Sequence, residues 1–183
     1  MSAITFRRCG FARRALVVLV LALLAVRITQ VGAAPAVSQS GPVIGQPAPA
    51  LIARQFNGQS IDLAALRGHV VVLNFWASWC TPCRAEMPAL DALAREFRER
   101  GVTIIGMSAD DRHDRADALK AAEALSYSLG MLADAQRNDF GAPRSLPLTY
   151  VIGADGLVRA VLSANRGAVS AEALRASILL ALE

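Results

Sequence analysis

Two thiols spaced as Cys80-Thr81-Pro82-Cys83 are the residues of this chain best placed to do chemistry. The thiolate is the attacking form of cysteine, so the surroundings must favour an anion. Upstream, Val70–Phe75 is a continuous run of the kind seen in strands buried on both faces of a parallel sheet. Downstream, Cys83, Met87, Leu90, Ala94 and Phe97 recur at helical spacing. The motif therefore sits where a strand turns into a helix. Cys80 falls at the helix N-terminus, where unpaired backbone N–H groups and the helix dipole stabilise negative charge. Cys83 lies three residues on, on the same helix face and within bonding reach. Pro82 is tolerated because first-turn N–H groups have no intrahelical partner. The chemistry is thiol–disulfide exchange: Cys80 attacks a substrate disulfide, a mixed disulfide forms, and Cys83 resolves it to leave Cys80–Cys83 oxidised. Two inert core cysteines are the alternative, and the polar Thr81-Pro82 insert at a strand-to-helix junction argues against them.

Other uses of the cysteines are poorly supplied. The third, Cys9, precedes a hydrophobic stretch and falls on the cytoplasmic side of any membrane. One CxxC gives two ligands where structural zinc needs four, and His69 and His113 stand isolated. Asp110-Asp111 and Asp114 read as an acidic, solvated loop. No cofactor and no metal site is expected.

The chain has 183 residues, of which 54% are hydrophobic, and a net charge of +4. That basicity is not a nucleic-acid footprint. Five of its 19 Lys and Arg residues (Arg7, Arg8, Arg13, Arg14 and Arg27) precede residue 37, where no acidic residue lies. Without them the remaining 14 face 15 acidic residues, so no basic face is left for phosphates. The arginines precede and follow Ala15–Val26, an apolar run of twelve, too short for a typical membrane-spanning helix and suited to a signal-peptide core. Cleavage after Ala33 or Ala36 fits the small residues there. The alternative is an uncleaved anchor over residues 15–31, with Arg27 snorkelling. Residues 1–36 are thus assigned as signal peptide or anchor, 37–49 as a Pro/Ser/Gly linker, and 50–183 as one folded domain.

Within that domain, Leu51–Phe56 and Ser60–Leu63 read as a hairpin around Asn57-Gly58. After the strand Val70–Phe75 comes a helix from about Thr81 to Arg100, ended by Gly101. Val102–Met107 is a second buried strand, and Asp114 is positioned to cap a helix over Arg115–Leu125. Leu129–Leu132 reads as a short strand and Ala135–Phe140 as a short helix. Thr149–Ile152 and Leu157–Leu162 flank a Gly153-Ala154-Asp155-Gly156 turn, and Ser170 caps a last helix to Leu182. The order implies an α/β domain: a central mixed sheet flanked by helices on both faces, with an N-terminal β-hairpin extension.

The segment Asn74-Phe75-Trp76-Ala77-Ser78-Trp79-Cys80-Thr81-Pro82-Cys83-Arg84-Ala85-Glu86-Met87-Pro88 closely resembles the exported thioredoxin-like reductases of the TlpA, ResA and CcmG (DsbE) type. The resemblance runs from about Gly45 to the C-terminus. It includes Leu66-Arg67-Gly68 and Leu146-Pro147-Leu148-Thr149-Tyr150-Val151-Ile152. It implies a thioredoxin fold, a periplasmic or other extracytoplasmic site at the inner membrane, and a monomer with a reducing role. The implied substrates are exported proteins with paired cysteines, such as apocytochrome c or copper-site proteins. The implied electron source is a membrane thiol donor of the DsbD or CcdA type. Pro147 matches the cis-proline that faces the CxxC, where a cis bond exposes backbone for pairing with an extended substrate. Read alone, Pro147 fits a trans-proline at an edge strand equally well. Leu146 would touch the substrate. Asn74 stands where cytoplasmic thioredoxins carry a buried, proton-exchanging Asp, and an amide cannot titrate. The resemblance makes Glu86, one turn beyond Cys83, the replacement acid–base; by itself Glu86 reads as a solvated helix glutamate. Trp79 would cover the nucleophile, Trp76 would be core, and Pro88 would kink the helix.

Competing functions are an oxidant or isomerase that makes disulfides and a copper-binding chaperone of the same fold. The chaperones use a wider cysteine spacing plus a distal His, and no His follows His113. A thiol peroxidase would need Cys in a Pro-x-x-x-Thr-x-x-Cys setting, which is absent.

Overall fold

The computed structural model describes residues 42–165 and 170–183. The expected signal or anchor segment, with Cys9, lies outside the described residues. At the centre is β3 (Val70–Trp76), whose seven residues are all buried. It pairs in parallel with β4 (Val102–Ser108) in the register Val70↔Val102 to Trp76↔Ser108. On its other side it pairs antiparallel with β7 (Leu148–Ile152), from Val71↔Ile152 to Phe75↔Leu148. With β5 (Ser128–Met131) and β8 (Val158–Ser163) at the edges, the five-stranded order is β5-β4-β3-β7-β8. A second sheet of three strands, ordered β2-β1-β6, contains β1 (Leu51–Arg54), β2 (Ser60–Asp62) and β6 (Arg137–Asn138). The expected mixed sheet, flanking helices and N-terminal hairpin are all present.

Pleating sends alternate residues of β3 to opposite faces. Val70, Val72 and Trp76 meet Leu90, Leu93 and Phe97 of α1 (Thr81–Phe97), Ala118 of α2 (Arg115–Ala122), and Leu174 and Ile178 of α3 (Ala171–Ala181). Val71, Leu73 and Phe75 meet Leu51, Ala53 and Ile61 of the small sheet. The three described α-helices therefore share one face, where helices on both faces were expected. The chain steps β3 to β4 to β5 in one direction across the sheet. Right-handed crossovers then place α1 and α2 on the same side.

The second departure is at residues 135–140, which form no helix. A single 3₁₀ turn, Leu132–Asp134, leads into β6, which pairs with the open side of β1 through Leu51↔Asn138 and Ile52↔Arg137. Gln136 N–H donates to the Ile52 carbonyl (2.8 Å) and Asp139 N–H to that of Ala50 (2.9 Å). Phe140 turns inward, its ring 5.7 Å from Phe75 and 5.3 Å from Tyr150. Six residues with one large apolar side chain have little intrinsic reason to stay helical, and strand pairing overrides them. Asp114 sits at the N-cap of α2 without a side-chain capping bond, whereas Ser170 Oγ caps α3 by accepting from Ala173 N–H at 3.1 Å. Residues 45–48, read as linker, run beside β8: Gly45 N–H donates to the Val158 carbonyl and Ala48 N–H to that of Gly156.

Candidate active site

β3 ends at Trp76, and after Ala77, Ser78 and Trp79 the chain reaches the N-cap of α1. Cys80 is the N-cap, its backbone extended at φ −83° and ψ 97°, and Cys80 N–H donates to the Ala77 carbonyl at 3.1 Å. Cys80 and Cys83 form a disulfide with Cα atoms 5.3 Å apart. The Cys80 sulfur also accepts from Cys83 N–H at 3.3 Å. This is the helix-terminal donor that the sequence placed at the nucleophile, and it favours a thiolate there once the pair is reduced. Cys80 is 5% exposed and Cys83 1%. Thr81 and Pro82 occupy the first turn and face solvent, and Trp79 is 66% exposed. Trp79 thus stands out from the surface beside the disulfide, while Trp76 is fully buried.

Asp110 is the residue the sequence reading misplaced. Expected on a solvated acidic loop, it is 2% exposed. Its carboxylate accepts from Ser78 N–H (2.8 Å), Ser78 Oγ (2.7 Å) and Ser108 Oγ. Ser108 Oγ in turn accepts from Asp110 N–H at 3.0 Å, and Ala109 N–H donates to the Trp76 carbonyl at 2.7 Å. The turn that carries Cys80 is therefore clamped to the end of β4. An acid just past the C-terminal end of a strand parallel to β3 must lie beside the β3–α1 turn, and that was the available clue. His69 and His113 are exposed as expected, and His113 Nε2 pairs with Asp114 at 3.2 Å.

Glu86 lies one turn beyond Cys83 and is 7% exposed. Neither of its oxygens has a hydrogen-bond partner. Burial pushes its carboxyl up to about 7 from the ordinary 4.5. A solvated helix glutamate is thereby excluded. Asn74 is buried and its Nδ2 donates to Thr149 Oγ1 at 2.9 Å, so it ties β3 to β7. The Leu146–Pro147 peptide is cis. The β3–β7 pairing ends at Phe75↔Leu148, so Pro147 is level with Trp76, at the end of the sheet where the Cys turn lies. Leu146 is half-buried and packs against both halves of the core. Pro88 is inside α1, where it supplies no N–H to the helix.

Residues 44–161 match the AhpC/TSA family. The chain belongs to the AhpC/TSA family. Within that family it is similar to ResA-type and DsbE-type proteins of thioredoxin fold. The thiol-disulfide oxidoreductase ResA of Bacillus cereus is 31% identical over 115 residues, which are 63% of this chain and 66% of that protein. ResA of Bacillus anthracis is 43% identical over 68 residues, 37% of this chain and 39% of that protein. The chain thus spans just under two thirds of the one relative and well under half of the other. A putative thiol:disulfide interchange protein DsbE from Chlorobium tepidum superposes with a TM-score of 0.66 at 25% identity, covering 78% of this chain and 99% of that structure.

Proposed function

We propose that the protein is an extracytoplasmic thiol–disulfide oxidoreductase that reduces disulfides in exported proteins. The observation that carries the reading is the Cys80–Cys83 disulfide at the N-terminus of α1, with a buried carboxyl one turn behind it. The names of the ResA and DsbE relatives support the reaction class.

The cycle starts from the dithiol. Cys80 thiolate attacks one sulfur of a target disulfide, a Cys80–target bond forms, and the other target sulfur leaves and takes a proton. The Glu86 carboxylate then removes the Cys83 proton. Cys83 sulfur attacks Cys80 Sγ, the Cys80–target bond breaks, and the second target sulfur leaves as thiol. Two electrons pass to the target, and the protein is left with the Cys80–Cys83 disulfide. Exposed Trp79, with Leu146 and the cis Pro147 at the same end of the sheet, offers an apolar ledge and a backbone edge for an extended target segment. A membrane thiol donor of the DsbD or CcdA type returns the dithiol. Apocytochrome c and copper-site proteins are the targets this reading favours. No helix among the described residues is long and apolar enough to cross a membrane; attachment or export rests on residues 1–36.

The direction is tested by equilibrating the pair against dithiothreitol or glutathione. A reductase gives a midpoint near that of thioredoxin, about −270 mV, and delivers electrons to an oxidised CxxCH peptide. A midpoint above about −180 mV contradicts it in favour of an oxidant or isomerase.

A further inference from the structure

On the helical face of the sheet, where Trp76 and Tyr127 share a core with Cys83 and Met87 of α1, the buried polar side-chain atoms without a partner are of two kinds. One is the Glu86 carboxyl, with neither oxygen bonded. The other is a pair of buried donors, the Tyr127 hydroxyl and the Trp76 indole Nε1, neither with an acceptor. Unsatisfied buried polar atoms are rare and costly, and three residues contributing them to one core call for a reason. Gly106, between Trp76 and Tyr127 on β4, shows how closely the donors approach. A Cβ there would lie 3.2 Å from Trp76 Nε1 and 3.1 Å from Tyr127 Cε2. It would also lie 2.6 Å from Leu129 Cδ2, so a side chain at this position would push on all three neighbours.

Tyr127 is held in place from α1 as well. Asp91 Oδ1 accepts from both the N–H (2.6 Å) and the hydroxyl (2.7 Å) of Ser126, and its other oxygen pairs with Arg95. The residue before Tyr127 is thereby pinned to the helix that carries Cys83 and Glu86.

We propose that Tyr127 is the positioning residue for Glu86: its hydroxyl, with the Trp76 N–H, receives the carboxylate when Glu86 takes the proton-free form that Cys83 needs. This deepens the proposed cycle and rests on the acid–base reading of Glu86. Protonated, Glu86 is neutral, and its unmade hydrogen bonds cost far less than those of the buried carboxylate. Ionised, it needs donors, and among the described residues these two are the buried side-chain donors without an acceptor. Burial, then the charges of Glu86 and Asp91, hold the Tyr127 hydroxyl well above its ordinary value, so it remains a donor throughout the working range. The other charged groups around it are accounted for. Asp91 is held ionised, because the Ser126 and Arg95 contacts outweigh its burial. Asp110 is engaged by Ser78 and Ser108. Glu123, at the end of α2, shares an open groove with Tyr127 and is solvated. The Cys80–Cys83 pair is the group being served.

The test is a cycle of Tyr127→Phe and Glu86→Gln in the full chain, read as the pH profile of mixed-disulfide resolution. Loss of a hydrogen bond to the ionised form raises the midpoint, so Tyr127→Phe moves the limb up by about one pH unit. Below the midpoint its rate falls about tenfold, with KM unchanged. In the Glu86→Gln background Tyr127→Phe does nothing further. An isotope-labelled Glu86 carboxyl resonance gives the same shift directly, independent of turnover. An unchanged limb and resonance in Tyr127→Phe, or an equal slowing with and without Glu86, overturns the proposal. If Glu86→Gln itself leaves the limb in place, the acid–base reading falls and this inference with it, a result distinct from failure of Tyr127→Phe alone.

Discussion

Replacing Glu86 with Gln removes a titrating group from the core while keeping its shape, and its effect on stability follows from the structure. In the folded protein the carboxyl titrates at about 7, against an ordinary 4.5. A group that holds its proton more tightly when folded makes the folded state bind more protons than the unfolded one across that window. Stability contributed this way is complete below about pH 4.5 and is lost as pH rises toward 7. The shift corresponds to about 3 kcal/mol, the cost of ionising the side chain in its buried position. Urea denaturation of wild type and Glu86→Gln should therefore diverge with pH. The wild type loses about 3 kcal/mol between pH 4.5 and 8, while the variant lacks that component and gains on the wild type at pH 8. The same variant should slow Cys83-dependent resolution roughly 10²-fold near neutrality, the lower end of what a positioned base supplies. Stopped-flow fluorescence of Trp79, beside the disulfide, is a suitable readout. Parallel stability curves across this range would refute the argument that Glu86 is buried and neutral, and an unchanged rate profile would return it to a structural role.

Asp110→Ala leaves the Ser78 N–H and the Ser78 and Ser108 hydroxyls without their acceptor. It should cost about 3 kcal/mol in urea denaturation, with Asp110→Asn milder because one acceptor oxygen survives; equal, negligible losses would mean the clamp on the Cys turn is not strained by its removal. A reporter enzyme that works only after export, fused behind residue 100, should be active in cells. Activity of a cytoplasm-only reporter at that site would contradict the extracytoplasmic assignment.

The parts of the site that local chemistry determines were legible in the sequence. β3 announced itself by an unbroken apolar run, α1 by its stripe, and Cys80 by falling between them. Gly101 ends the helical segment in the left-handed conformation expected of it, φ 76°. The cis bond before Pro147 came from resemblance, since an X-Pro pair alone does not fix its isomer. What stayed hidden depends on pairs far apart in sequence. Asp110 meets Ser78 across 32 residues and Asp91 meets Ser126 across 35. No periodicity encodes those contacts, so Asp110 reads as an ordinary surface acid, and nothing in the local pattern singles out Tyr127. The 135–140 segment was misread for a related reason: its partner, β1, lies more than eighty residues earlier.

The central claim is that Cys80 attacks and Cys83 resolves. The most direct measurement is covalent capture of a disulfide-bonded CxxCH peptide by single-cysteine variants, read by mass spectrometry. Cys83→Ser should accumulate a mixed disulfide through Cys80, because resolution requires the missing thiol, and Cys80→Ser should capture almost none. Capture mainly by Cys80→Ser would reverse the roles assigned to the two thiols, and no capture by either variant would contradict disulfide exchange with proteins.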